Sequence, residues 1–301
     1  MALAERFKEM LTIVVVCYQS AGEFLGCLET VFKEKAAQDF RVVAVNNSQV
    51  DSAEIAAICD RFGVTMIQNA ENVGYGRGCN IGARRMRDSR YTLFLNPDVR
   101  FAPQSLRRMV EIADAHPDIV ALGPLQSGRD GRVRGKRRSV GQGPTFGAPL
   151  RDGDCSGAVV DTGFISGGAL MVRTDVFLRI GGFDERIFLF HEDDDLCLRL
   201  ARHGRLAYAT DIVVDHRYGS STPRTDELTR VRSWHLGFSR VYVIRKHHGR
   251  RAALISLLHA VLKFLSPEMI SARGRIKARA FFDGTRTALW KTDLSASAVS
   301  I

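Results

Sequence analysis

Four absences narrow the class of this chain before any motif is read. Its six cysteines (Cys17, Cys27, Cys59, Cys79, Cys155 and Cys197) form no C-x-x-C pair. No zinc or redox motif is therefore written in them, and a reduced, cytoplasmic protein is expected. Several fall inside apolar runs, where a free thiol acts as a small hydrophobe. The amino terminus has no basic stretch leading into a long apolar core and a small-residue cleavage site. Its apolar run, Leu11–Tyr18, is only strand-length, so no signal peptide is expected. The most apolar stretch, Ala252–Leu265, is 14 residues long, whereas spanning a bilayer takes roughly 20. Finally, no G-x-G-x-x-G follows the first strand-like run, which argues against a dinucleotide oxidoreductase.

What is present is an ordinary globular composition, 301 residues with 45% hydrophobic and 25% charged. That allows one large domain with an appendage, or two modest ones, and excludes disorder as the main theme. The formal charge of +10 is concentrated: Thr225–Ile301 holds 14 Lys and Arg against 5 Asp and Glu. Such a segment suits an anionic partner, whether a membrane surface, a polyphosphate or a nucleic acid. Aromatic residues are not interleaved with the charges, so nucleic acid is the unfavoured member of the three.

The first 125 residues alternate strand and helix signals. Leu11–Tyr18, Arg41–Asn46, Val64–Gln68 and Tyr91–Leu95 read as buried strands. Between them lie a helix carrying Leu25, Leu28 and Phe32, one begun at Ser52 and ended by Gly63, and a short one over Asn80–Arg87. Pro103 opens another. This rhythm predicts an α/β fold with a mostly parallel sheet, whose ligands gather beyond the strand carboxyl ends. Those ends carry Tyr18-Gln19-Ser20, Asn46-Asn47-Ser48 and Asn96-Pro97-Asp98. An irregular basic loop is expected over 126–157, and strand character returns at Gly163–Val172 and Ile212–Val214. The region 225–301 reads as helical and basic. Within it Ser256, His259 and Lys263 form one polar stripe on an apolar helix. That shape suits a membrane interface, a second subunit or docking onto its own domain.

Four sequence features could carry chemistry. Glu192-Asp193-Asp194-Asp195 follow an aromatic, strand-like Phe188–Phe190 and open a helix. One or two acids satisfy a helix dipole; four adjacent ones repel, which points to a cation or to proton transfer. Asp98, projected by Pro97, could hold Mg²⁺ or Mn²⁺. The glycine-rich run Asn72–Gly82, with Arg77, could bring backbone N–H groups to a diphosphate. His216 ends a strand-like run.

In order, these pieces resemble glycosyltransferase family 2, particularly its bacterial rhamnosyltransferase-like members, from about Thr12 to Ser221. The most specific string is Gly181-Gly182-Phe183-Asp184-Glu185 followed by Glu192-Asp193-x-Asp195-Leu196-Cys197-x-Arg199. The resemblance implies a GT-A catalytic region over 1–224, a C-terminal helical segment, and inversion at the anomeric carbon. It implies Asp193 as general base, with Asp194 in competition by adjacency. Asp98 and His216 are implied as ligands of a divalent cation. Tyr18, Asn46, Asn72, Gly74, Arg77, Asn80, Asn96, Gly168 and Glu192 form the implied nucleotide-sugar site. Asn46 stands where the family has an aspartate that accepts from a pyrimidine. The implied partners are a dTDP- or UDP-type sugar donor, rhamnose by resemblance, and a glycan or lipid-linked acceptor. The enzyme would then work in the cytoplasm, peripheral to the inner face of the membrane. A nucleotidyltransferase would share the sheet and the metal but would not need the acid run.

Overall fold

A computed structural model of the protein describes residues 9–34, 39–128, 133–135, 138–140, 157–217, 225–262, 264 and 267–290. The first half runs β1 (Glu9–Cys17), α1 (Ala21–Val31), β2 (Phe40–Asn46), α2 (Ser52–Phe62), β3 (Thr65–Gln68), α3 (Tyr75–Arg85), β4 (Ser89–Leu95), β5 (Val99–Arg100) and α4 (Ser105–Ala115). The second runs β6 (Ile119–Ser127), β7 (Val133–Arg134), β8 (Val159–Asp161), β9 (Ala169–Arg173), α5 (Thr174–Arg179), α6 (Glu192–Leu200), β10 (Arg205–His216), α7 (Asp226–Leu262) and α8 (Ala272–Trp290).

The strands form one sheet in the order β3-β2-β1-β4-β9-β6-β10-β5. The β3-β2-β1-β4 block is parallel, and β6 and β10 are parallel to each other. The reversed strand β9 joins these two blocks. Strand β1 shows why the sheet is covered on both sides. Leu11, Ile13, Val15 and Cys17 pack in one core with Phe24, Ile55 and Leu106 of α1, α2 and α4. Val14 and Val16 pack in another with Cys79, Phe177 and Leu196 of α3, α5 and α6. Period-two alternation thus feeds two cores from one apolar run, each fully buried Val, Leu or Ile contributing about 1.5–3 kcal/mol. The cysteines belong to this packing: burial pushes the Cys27 thiol up to about 12 and that of Cys59 up to about 11. Cys155 lies outside the described residues.

Several boundaries differ from expectation, each for a physical reason. Helix α3 begins at Tyr75, not Asn80, so the glycine-rich run is mostly helix. A Cβ on Gly78 would stand 2.9 Å from Val16 Cγ1, and one on Gly82 would strike Val14. These glycines let α3 lie close on the sheet. Phe188–Phe190 is not a strand: Phe190 and His191 turn into α6 with φ of 66° and 62°. Strand β10 is longer than expected and irregular between Ala209 and Val213. Most of the basic loop expected over 126–157 lies outside the described residues.

The C-terminal helices make a third core, in which Trp234, Phe238, Val241 and Ala253 meet Ala280 and Ala288. Helix α7 is broken at Gly249, where φ is 83° and ψ is 176°. In its last turns Ser256 is buried beside Ala253 and Ala260, while Leu254, Ile255 and Leu258 are exposed. Of the expected polar stripe, Ser256 therefore faces inward; the side chains of His259 and Lys263 lie outside the described residues. Among the described residues no helix is long and apolar enough to cross a membrane.

Candidate active site

A cleft of about 260 Å³ opens at the carboxyl ends of β1, β2 and β4. One wall is Tyr18, Asn47, Asn72, Gly74, Asn96 and Asp98; facing it are Phe188, Leu189, Leu228 and Arg232. Three strand ends do form one rim, as the sequence predicts.

Asp98 is set by topology. Pro97 ends β4, and the short β5 then pairs antiparallel with the end of β10, aligning Val99 with His216. The Asp98 Oδ1 to His216 Nε2 distance is 3.2 Å, and both side chains are buried. His216 Nδ1 lies 3.0 Å from Gln126 Oε1. An imidazole N–H can donate to that oxygen, and this orientation sets Nε2 facing the carboxylate. A carboxylate oxygen and a ring nitrogen this close suit a shared cation, either a proton or a metal ion. One carboxylate and one oriented imidazole fit a divalent ion that takes its remaining ligands from phosphate and water. Among the described residues no group of three or more such ligands occurs, so the protein would supply a partial shell. Gly168 backs the imidazole: a Cβ there would lie 2.6 Å from His216 Cε1. Its carbonyl accepts the Asn96 N–H at 2.9 Å.

The acid run divides into two pairs. Asp195 is fully buried, with Lys246 Nζ at 2.6 Å, His247 Nε2 at 2.7 Å and Arg199 Nε at 2.8 Å. Asp194 accepts from Ser139 Oγ at 2.6 Å and the Val140 amide at 2.7 Å, and its other oxygen lies 2.8 Å from His191 Nδ1. Burial alone would raise both carboxyls; His191 and Ser139 for Asp194, and His247, Arg199 and Lys246 for Asp195, reverse this and hold both below the usual range. The excess acidity read from the sequence is thus half structural. Basic partners 3 to 52 residues away in the chain offset it.

Glu192 and Asp193 form the other pair. Burial, and then the neighbouring Asp193 charge, push the Glu192 carboxyl well above its ordinary range, towards the neutral acid. Asp193, whose charge contributes to that shift, keeps both of its oxygens in backbone hydrogen bonds. Its Oδ2 accepts the Gly167 N–H at 3.1 Å and its Oδ1 the Asp194 N–H at 3.0 Å. Tyr75 donates to the Gly167 carbonyl at 2.5 Å. The turn 166–168 therefore touches Asp193 through Gly167 and His216 through Gly168.

The remaining predicted residues fall into two groups. Tyr18, Asn72, Gly74 and Asn96 line the cleft. Asn72 Oδ1 accepts the Gly74 N–H at 3.0 Å, and Gly74, at φ 83°, lies so close under the Phe188 carbonyl that a Cβ would collide with it. Asn46, Asn80 and Arg77 are turned elsewhere. Asn46 is buried, its oxygen accepting from the Ser48 amide at 3.2 Å and its nitrogen donating to Ser48 O at 2.8 Å. Asn80 grips Phe183, accepting its N–H at 2.8 Å and donating to its carbonyl at 2.9 Å. The glycine-phenylalanine-acid string is thereby clamped onto α3. Arg77 approaches Glu185 at 3.6 Å. Sequence reasoning did not single out Asn47, Tyr75, Leu228 or Arg232. Asn47 adjoins a residue it chose; Leu228 and Arg232 share a helix face, but nothing local says that this face meets the cleft.

A doubly covered sheet with a cleft at its strand ends, a carboxylate–imidazole pair and an acid-led helix define a nucleotide-sugar-type transferase of the GT-A fold. Comparison with known proteins agrees. The profile described as Glycosyl transferase family 2 matches residues 12–180, and that described as Glycosyl transferase family group 2 matches 152–284. The chain belongs to glycosyl transferase family 2, and it is a glycosyltransferase. It is 26% identical over 298 residues to the N-acetylglucosaminyl-diphospho-decaprenol L-rhamnosyltransferase of Mycobacterium tuberculosis (strain CDC 1551 / Oshkosh), covering 90% of this chain and 96% of that one. It is 25% identical over 257 residues to rhamnosyltransferase WbbL of Escherichia coli K12, covering 79% and 94%. In fold it is similar to the mannosyltransferase PcManGT of Pyrobaculum calidifontis in complex with GDP-Man and Mn²⁺, with TM-score 0.59, 15% identity and coverage of 95% and 89%.

Proposed function

We propose that this glycosyltransferase moves a hexosyl unit, rhamnose foremost, from a dTDP- or UDP-type donor onto a hydroxyl of a glycan or lipid-linked acceptor, with inversion and with a divalent cation. The observation that carries this reading is the turn 166–168, which joins the Asp193 carboxylate to the Asp98–His216 pair. Asp193 takes the proton of the acceptor hydroxyl as that oxygen attacks the anomeric carbon. The anomeric carbon–oxygen bond breaks opposite the attack, and the nucleoside diphosphate leaves with the electron pair. A cation held by Asp98 and His216 would offset the charge of the departing diphosphate. Tyr18 and Asn47 flank the base side of the cleft, and the Asn72–Gly74 turn shapes the donor's bed. The lipid-linked acceptor is supported by the mycobacterial relative, whose name specifies a decaprenol-linked one.

Calorimetric titration with dTDP, UDP and GDP, each with Mn²⁺ and with EDTA, tests the reading. One nucleotide is expected to bind, and only with the cation. Asp193→Asn should keep that binding and lose about 10²–10⁴-fold in turnover. Full turnover by the variant would move the base elsewhere, and binding untouched by EDTA would remove the cation from the scheme.

A further inference from the structure

We infer that the last turns of α7, with the outer face of α8, dock onto an anionic bilayer. Beyond the Gly249 break, Leu254, Ile255, Leu258, Val261 and Leu262 are between 45% and 60% exposed. At 100° per residue these five side chains fall within an arc of roughly 120°, so they form one face. Single exposed hydrophobes are ordinary on a protein surface, but a contiguous face is not. Arg250 and Arg251 stand exposed at the start of this segment. A helix amino terminus favours acids, so these two cations are not there for the dipole. On α8, Arg275, Arg279 and Arg286 are exposed at helical spacing on one side, with one exposed acid, Asp283, among them, and Trp290, 83% exposed, ends the same face. Apolar side chains among arginines, with a tryptophan at the margin, match the boundary between acyl chains and anionic headgroups. A second copy of the chain would instead set one strongly basic segment against another. The segment after Gly249 is about 20 Å long, short of the roughly 30 Å hydrocarbon core, so it lies in the interface. The same α7 lines the cleft through Leu228 and Arg232. Docking would therefore hold the cleft near lipid-borne substrates, and only that last link rests on the transfer reading.

Flotation of the full chain with vesicles of phosphatidylcholine, or of equal parts phosphatidylcholine and phosphatidylglycerol, tests the inference. The protein should float with the anionic vesicles, less so in high salt. The double variant Leu254→Gln/Leu258→Gln should lose at least about tenfold in vesicle partition while its thermal melt and nucleotide binding stay unchanged. Arg250→Gln/Arg251→Gln should lose the preference for anionic lipid. Wild-type protein left in the aqueous fraction with both vesicles overturns the inference. So does a solution dimer, seen by light scattering, that the leucine variant dissociates without any vesicle binding. No donor or acceptor enters the flotation, so its outcome and that of the transfer assay are independent.

Discussion

Asp195→Asn tests whether the acid run is partly a structural anchor. The carboxylate is fully buried and receives Lys246, His247 and Arg199 at 2.6–2.8 Å. Removing one partner of a buried ion pair costs about 3–5 kcal/mol. Lys246 keeps Asp184 at 2.8 Å and is 26% exposed, so the lower end applies, about 3 kcal/mol. For a chain of this size that corresponds to a fall in Tm of roughly 6–12 °C. Because the Asp195 carboxyl is held below its ordinary range, its stabilisation is full above the unfolded value, about pH 4, and is lost as pH falls through the folded one. The gap between wild type and variant should therefore be widest near neutrality and close below about pH 4. Circular-dichroism melts across pH give both numbers, with Glu111→Gln, which breaks an exposed pair, as a control that leaves Tm almost unchanged. A variant melting within about 2 °C of wild type at pH 7 would refute the anchoring argument.

Arg232 lines the cleft and lies over the Phe190 ring, 5.6 Å from its centroid. Arg232→Ala should raise the KM of a phosphorylated substrate about tenfold, and Arg232→Lys should restore only part, since a fork of donors becomes a point charge; unchanged kinetics for both would take Arg232 out of the site. Gly168→Ala should force the His216 ring away from Gln126 and Asp98 and weaken Mn²⁺-dependent nucleotide binding about tenfold, with the melt little changed. Calorimetry showing wild-type metal dependence would detach that imidazole from cation binding.

The sheet was legible because its signals are local. Leu11–Tyr18 declares a two-sided strand by unbroken β-branching, and Gly63 does end α2, at φ 65°. The glycine-rich run was legible as a special segment but not in its role, since Gly78 and Gly82 answer to Val16 and Val14, which lie far away in sequence. Asp98 and His216 are 118 residues apart and meet only because β5 pairs with the end of β10. The turn at Pro97 singled out Asp98, but only resemblance joined it to His216; no spacing could have. The acid run shows the limit most clearly. Charge repulsion pointed to a cation or to proton transfer, but Lys246 and His247, which contact Asp195, arrive from another element.

That pattern makes a claim about the basic C-terminal region, which composition alone would treat as an appendage. Asp184 and Asp195 are both buried, and both take Lys246. Tyr242 donates to Asp184 at 2.8 Å, and Ser239 to the Leu189 carbonyl at 2.9 Å. Ile187 and Leu198 pack with Trp234 and Phe238. Just ahead of Asp193, Phe190 and His191 hold left-handed backbone, at a cost of order 1–3 kcal/mol each. The contacts of His191 with Asp194 and of Arg232 with Phe190 brace that turn. A chain ending at residue 224 would keep the sheet and every strand-end residue, yet leave two buried carboxylates without Lys246 and the turn without Arg232. It should be insoluble, or melt far below the full chain, and fail to bind nucleotide. A truncated protein with wild-type nucleotide affinity and melting temperature would show that the helices only decorate the fold; aggregation rescued by Asp184→Asn/Asp195→Asn would locate the fault in the stranded charges.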